Sequence, residues 1–285
     1  MQELKITTPD GHPLAVTSFN PAGAPKAVVL INSAMGVLRQ YYNKFAAFLA
    51  NEGFQVYSYD YRGIGGSSPK SLRGFEASIH QWGIVDVNTM IEYATMQHPN
   101  LPLTAIGHSV GGQALGLAPS CQKVQAVMLV ASQVGNWTYW DKGRAKLKFF
   151  WKYMLPSLAR LFGYFPAKKL GLFENLPKGV AMEWSQWGSH PDYLFGYDFE
   201  VPKQHGELEV PLLSWSFTDD GYAPIKAVKA LLNRYEKADI THRHLAPQDL
   251  GVNRIDHFGF FREKFKGSLW ADSVEWLNAQ VVIQA

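Results

Sequence analysis

Cysteine is nearly absent from this 285-residue chain. Cys121 stands alone, which excludes an intramolecular disulfide and any cysteine-based metal cluster and fits a reducing compartment. Long apolar runs are missing as well: none approaches the ~18 residues that a membrane-spanning helix needs. The opening residues MQELKITTPDGH lack the basic start, apolar stretch and small-residue cleavage site of a secretory leader, so a soluble, cytoplasmic protein is expected. Nor does charge of one sign dominate. The net charge is +3, from 27 Lys and Arg against 24 Asp and Glu, and no nucleic-acid-binding motif accompanies it, which argues against a nucleic-acid partner. The metal-binding pattern H-E-x-x-H is also lacking. His242 and His244 have no third ligand near them in the sequence, so no metal is expected.

What is present is enough chain for one large core, or for a core with an inserted cap. Glu3 to Thr8, the turn at Asp10-Gly11 and Leu14 to Ser18 read as a leading hairpin. Ala27 to Ile31 is an uninterrupted apolar strand of the kind covered on both faces. A helical pattern follows, stops near Gly53, and gives way to a strand at Phe54 to Tyr59; strand, helix, strand at this spacing predicts parallel pairing. The glycine-rich stretch from Asp60 to Pro69 lacks the lysine of a phosphate loop and the spacing of a dinucleotide fingerprint, so it reads as a crossover loop and no cofactor is implied. Trp82 to Met96 is a helix, and Leu103 to Ile106 and Val124 to Ala131 are further strands. From Trp137 to Tyr197 the texture changes to dense aromatics and clustered lysines, with one or two short helices expected to break at Pro156 and Pro166. Strand signals resume at Val210 to Phe217 and Thr241 to Leu245, and helix signals close the chain from Leu269 to Val281. The resulting division is a core segment over 1–134, a helical cap over 135–205 and a second core segment over 206–285.

The chemistry centres on Gly107-His108-Ser109-Val110-Gly111-Gly112, where a buried strand stops at a serine enclosed by glycines. A strand-to-helix elbow requires this: the serine sits at the apex of a strained turn, and its glycine neighbours let strand and helix approach. A serine hydroxyl needs a base to take its proton, and that base must be held in one tautomer by an acid. Parallel strands deliver such groups from their C-terminal ends. Asp219 and Asp220 lie just beyond the strand ending at Phe217, and either would serve as the acid. His257, beyond the last expected strand, is the base, because serine, aspartate, histidine is the chain order such an elbow requires. The amide of Val110 supplies one oxyanion donor. The other should come from Asn32-Ser33-Ala34-Met35-Gly36, whose small residues bring backbone close.

These residues together resemble an α/β-hydrolase, in particular the serine aminopeptidase and monoglyceride-lipase types of serine hydrolase. Asp60-Tyr61-Arg62-Gly63-Ile64-Gly65 resembles the family's D-x-R-G-x-G loop and Gly107 to Gly111 its elbow. The likeness covers about 27–134 and 210–279 and matches the cap poorly. It implies an α/β fold with a mostly parallel central sheet flanked by helices, with Ser109 as nucleophile and His257 as general base. Laying the family's strand and acid turn from Pro211 to Pro224 puts the acid at Asp220, ahead of Asp219, although Phe217 stands where the family has glycine. Asn32-Ser33 replaces the family's His-Gly, which makes Ala34 the second oxyanion donor, with Met35 as its substitute. Asp256 stands where glycine often precedes the histidine.

The resemblance implies acylation of Ser109 and hydrolysis by water, without a cofactor. The aromatics of the cap favour a small hydrophobic ester or lipid as the substrate. An aminopeptidase or amidase would use the same triad, and it would want an acid such as Glu183 or Asp192 for a free amino terminus. A catalytically silent binding protein on the same fold is the third reading. An exposed cap would serve as a homodimer face or meet a membrane.

Overall fold

The computed structural model describes residues 1–282; residues 283–285 of the second core segment lie outside the described residues. The chain begins with β1 (Gln2–Thr7) and β2 (Pro13–Phe19), followed by β3 (Ala27–Asn32), α1 (Asn43–Asn51) and β4 (Phe54–Tyr59). Next come α2 (Ile79–Gln81), a π-helical stretch, α3 (Asn88–Gln97), β5 (Leu103–His108), α4 (Val110–Leu115) and β6 (Ala126–Val130). After an insertion, β9 (Pro211–Phe217), α8 (Ile225–Leu232), β10 (Asp239–Leu245), α9 (Asp256–Gly259) and α10 (Ala271–Val282) complete the core. The insertion holds α5 (Arg144–Phe149), α6 (Leu155–Phe162), the two-residue strands β7 (Tyr164–Phe165) and β8 (Leu176–Pro177), and α7 (Lys178–Ser189).

Eight strands form one sheet in the order β1-β2-β4-β3-β5-β6-β9-β10. β1 pairs antiparallel with β2, and β2 with β4; the remaining pairs are parallel, which is the expected mixed, mostly parallel α/β-hydrolase sheet. Burial explains the sequence texture. β3, β4, β5 and β6 are buried at every position because helices cover both faces, whereas the edge strands β1 and β10 alternate with solvent. The order reverses at β3, whose neighbours are β4 and β5. At such a switch point the chain leaves two adjacent strand ends in opposite directions and opens a crevice. Asn32 is registered with Gly107 there, so the Ser33-Ala34-Met35 loop lies beside the serine elbow.

The glycine-rich loop after β4 is held by charge. Asp60 accepts hydrogen bonds from the backbone N–H of Arg39 (2.7 Å) and Gly66 (2.9 Å) and is ion-paired to the Arg39 guanidinium. Arg62 donates to Asp86 at 2.8 Å and to Asp10 at 2.6 Å, tying the leading hairpin to the core. Every one of these guanidinium groups is nearly buried, so loss of a carboxylate would leave a desolvated charge. The D-x-R-G-x-G spacing thus makes a structural clasp.

Pro156 does not break its helix. Helical backbone runs from Arg144 to Phe162, with a π-helical stretch at Phe150–Met154, and ends at the left-handed Gly163. In π geometry a carbonyl bonds to the N–H five residues on, and at Trp151 that residue is Pro156, which has none. Ser185 of α7 donates its hydroxyl to the Trp151 carbonyl at 2.6 Å, replacing the missing partner. A neighbouring helix therefore compensates for the proline, which local sequence cannot reveal.

Candidate active site

Ser109 follows β5 with φ 53° and ψ −116°, a strained conformation for a residue other than glycine. Its N–H donates to Val130 at 3.0 Å, and its carbonyl accepts from Gly112 at 3.1 Å, which locks the turn on both sides. The flanking glycines are required by space. A Cβ on Gly107 would lie 2.5 Å from the Gly112 backbone, and one on Gly111 would lie 2.2 Å from the Asn32 carbonyl oxygen. The expected elbow geometry is therefore built by direct packing of β5, α4 and the loop after β3.

The two aspartates beyond β9 divide their contacts. Asp220 is buried; one carboxylate oxygen meets His257 Nδ1 at 2.8 Å, and the other accepts from the N–H groups of Tyr222 (2.8 Å) and Ala223 (3.0 Å). Three of its roughly four acceptor sites are thus occupied, and the bond to the ring sets the imidazole with Nδ1–H toward the acid and Nε2 as the basic nitrogen. Asp219 instead accepts from the backbone N–H of Ile255 (2.9 Å) and Asp256 (3.1 Å), so it holds the histidine segment rather than the ring. His257 lies on the single turn of α9, not in a loop. Asp256 takes φ 61°, which accounts for a glycine preference at that position; here Arg254 (2.8 Å) and Arg262 (3.2 Å) hold its carboxylate instead.

The structure does not bring every expected residue together. Among the described residues Ser109 Oγ makes no hydrogen bond, to His257 or to any other group. Ala34, the second oxyanion donor implied by the resemblance, donates its N–H to Tyr42 Oη at 2.9 Å. The amides of Met35 and Val110 have no acceptor among the described residues, and both residues line the same cavity as Ser109. Of the two amides after β3, that of Ala34 is thus engaged and that of Met35 is left without an acceptor. A tyrosine side chain eight positions downstream determines this outcome.

That tyrosine belongs to a buried relay which sequence reading missed. Ala34 N–H donates to Tyr42 Oη, Tyr42 Oη–H to His108 Nδ1 (2.9 Å), and His108 Nε2–H to the His257 carbonyl (2.9 Å). Burial, with the neighbouring His257, holds His108 well below its ordinary pKa, so the ring stays neutral and the relay keeps one direction. The one sequence signal for it is the histidine that precedes the serine. His242 and His244 contact Ser216 Oγ at 2.8 and 2.7 Å, in keeping with a packing role. Among the described residues no group of three or more His, Cys, Asp or Glu is placed to hold a metal ion.

A cavity of about 660 Å³ opens above Ser109. Its floor is Met35, Ser109 and Val110, and the insertion contributes apolar walls including Phe150, Trp151, Phe173 and Trp184. Gln113, Gln133, Lys142 and Lys146 are the polar exceptions in its lining. Glu183 is engaged elsewhere, with His80 Nδ1 at 2.6 Å, and Asp192 lies 3.5 Å from Arg234; neither lines this cavity.

Comparison with known proteins agrees with this architecture. The family model described as serine aminopeptidase, S33, matches residues 23–179, more than half of the chain. The match includes Ser109 and the loop after β3, stops before Asp220 and His257, and extends into the insertion, where the sequence resemblance was expected to fail. Mouse monoglyceride lipase is 26% identical over 107 residues, or 38% of this chain, and the matched stretch spans only 34% of that relative. An esterase from Pyrococcus furiosus has a similar fold, with TM-score 0.63 and 15% identity over 98% of this chain and 90% of its own. So does a thermostable carboxyl esterase from Bacillus coagulans, with TM-score 0.63 and 15% identity over 98% of each chain. With over half its length matched and the sheet, crevice and elbow in place, the chain belongs to the serine aminopeptidase S33 family of α/β-hydrolases.

Proposed function

We propose that this protein is a serine hydrolase that cleaves a small hydrophobic carboxylic ester or lipid through an acyl-enzyme on Ser109. The observation that carries the reading is the largely apolar cavity of about 660 Å³ with Ser109 at its floor. In this mechanism Ser109 Oγ attacks the ester carbonyl carbon while its proton passes to His257 Nε2, and Asp220 stabilises the imidazolium. The N–H groups of Val110 and Met35 receive the oxyanion. Collapse breaks the bond to the alcohol, which leaves with the proton from His257. Water then gives a proton to His257 and attacks the acyl carbon, and the carboxylic acid departs as Ser109 regains its proton. Residues 135–205 act as a cap that sets acyl-chain length through its aromatic walls.

An ester is favoured over an aminopeptidase substrate because Glu183 and Asp192 are paired away from the cavity, leaving neither carboxylate to receive a free amino terminus. The silent-binder reading draws on the unpartnered Ser109 hydroxyl, and one experiment separates the two. The parent and Ser109→Ala proteins are treated with a fluorophosphonate, read by intact mass, and assayed on p-nitrophenyl esters from acetate to palmitate. Labelling and turnover by the parent alone are expected, with an optimum at medium chain length. A parent that neither labels nor hydrolyses any ester would overturn the proposal in favour of binding.

A further inference from the structure

The modest net charge hides a segregated one. From Lys142 to Phe173 there are eight Lys and Arg and no Asp or Glu, whereas the remaining 19 basic residues face 24 acidic ones. This segment contains the long helical run of the insertion. Arg144, Lys146, Lys148, Lys152 and Arg160 are exposed on it, and among the described residues none has a carboxylate within the 4.0 Å of an ion pair. Lys148 and Lys152 sit 5.6 and 5.2 Å from the Trp137 ring, an aromatic face that leaves their charge uncompensated.

Large apolar side chains emerge among these cations. Phe149 is 58% exposed, Tyr153 60% and Leu161 75%, and Leu170 and Leu172 are also exposed. The Phe149 and Tyr153 rings are neighbours, with centroids 5.7 Å apart, one helical turn along the same outer face. A shallow groove of about 550 Å³ between Phe149, Phe150 and Met154 extends the apolar surface. Leu147, Phe150 and Met154 of the same run line the Ser109 cavity, so one wall of that cavity is the inner side of the helical run that carries the patch. Apolar rings set in a field of unpaired cations match the headgroup boundary of an anionic bilayer: the rings enter the acyl region while the lysines remain at the phosphates.

We propose that the outer face of the Arg144 to Phe162 helical run docks onto an anionic lipid surface and so holds the wall of the Ser109 cavity beside the headgroups. The docking is independent of whether Ser109 acylates, so its test uses the Ser109→Ala protein, which leaves the lipid intact. Co-sedimentation is measured with phosphatidylcholine vesicles, with and without phosphatidylglycerol, at low and high salt. Partition onto the anionic vesicles should be at least about tenfold stronger at low salt and should weaken as salt rises. Phe149→Ser/Tyr153→Ser and Lys148→Gln/Lys152→Gln should each reduce it by about tenfold. Circular dichroism and the melting temperature check folding. If loss of the Trp137 contacts unfolds the lysine variant, Arg160→Gln/Lys169→Gln tests the same charge away from that ring. Equal binding to both vesicle types, no binding, or folded variants that bind like the parent would overturn the proposal. So would a concentration-dependent dimer, without vesicle binding, that Phe149→Ser/Tyr153→Ser abolishes; the face would then belong to a second copy of the chain.

Discussion

Two adjacent carboxylates with different partners set the behaviour of the candidate base. Asp220 bonds to the imidazole, whereas Asp219 bonds to the backbone that carries it. Asp220→Asn keeps the shape but turns an N–H toward Nδ1 or forces the ring into the wrong tautomer. By the measured precedent of serine proteases it should lower kcat for the best p-nitrophenyl ester by roughly a factor of 10⁴. Asp219→Ala leaves the imidazole contact intact and frees two amides at the start of α9. A smaller loss is expected, about tenfold in kcat with little change in KM, because ring orientation rather than substrate binding suffers. Steady-state kinetics on both variants check the division of labour, and equal losses would refute it. Asp256 shows the same dependence on surroundings, since three polar neighbours let an aspartate occupy a backbone region where glycine is favoured.

At the level of elements, the insertion depends on a cross-helix hydrogen bond. The Trp151 carbonyl, deprived of a helical partner at Pro156, is satisfied by Ser185. Ser185→Ala should therefore destabilise the protein by about 1–3 kcal/mol, the cost of an unsatisfied buried carbonyl. A urea denaturation series measures this, and Ser185→Thr, which keeps the hydroxyl, should recover most of the loss. A change within experimental error for Ser185→Ala would mean that water reaches the carbonyl. Periodicity revealed the apolar face of this helix but not its continuity, because a proline is a local stop signal unless another element supplies what it removes. The sheet was more legible: uninterrupted apolar runs at Ala27–Asn32 and Leu103–His108 report burial on both faces directly.

The whole molecule should be sensitive to mild acid through its buried imidazoles. His205 is fully enclosed; burial, opposed by its bond to the Gln113 carbonyl and reinforced by Lys203 and Arg234, lowers its pKa to about 4. His108 is lowered in the same direction by its burial and the neighbouring His257. The unfolded chain binds a proton at each near pH 6.5 while the native state does not, so stability is full above about 6.5 and falls with pH toward 4. For His205 the loss approaches about 3 kcal/mol. His80 works with the opposite sign: burial lowers its pKa, but Glu183 and Glu200 outweigh burial and raise it. Its contribution is complete below about 6.5 and disappears as pH rises through the raised value. Denaturation midpoints between pH 4 and 7 should fall toward acid, and the slope should flatten in His205→Gln. An unchanged slope in that variant would assign the acid sensitivity elsewhere.

Sequence alone determined the α/β fold class, the strand-to-helix elbow at Ser109 and the chain order of serine, aspartates and histidine. Such features are written locally: burial on two faces demands apolar runs, a crowded turn demands glycine, and parallel strands present their C-terminal ends to one crevice. Only the tertiary structure decided between neighbours one residue apart. Asp220 rather than Asp219 meets the imidazole, and Tyr42 engages the amide of Ala34 and leaves that of Met35 free, because side-chain direction depends on strand register and on partners distant in sequence. The exposed basic and aromatic face followed the same rule. Its residues were visible in the chain, but which of them face outward depends on the helix packing around Trp151 and Trp184, where burial of the large rings outweighs any local preference.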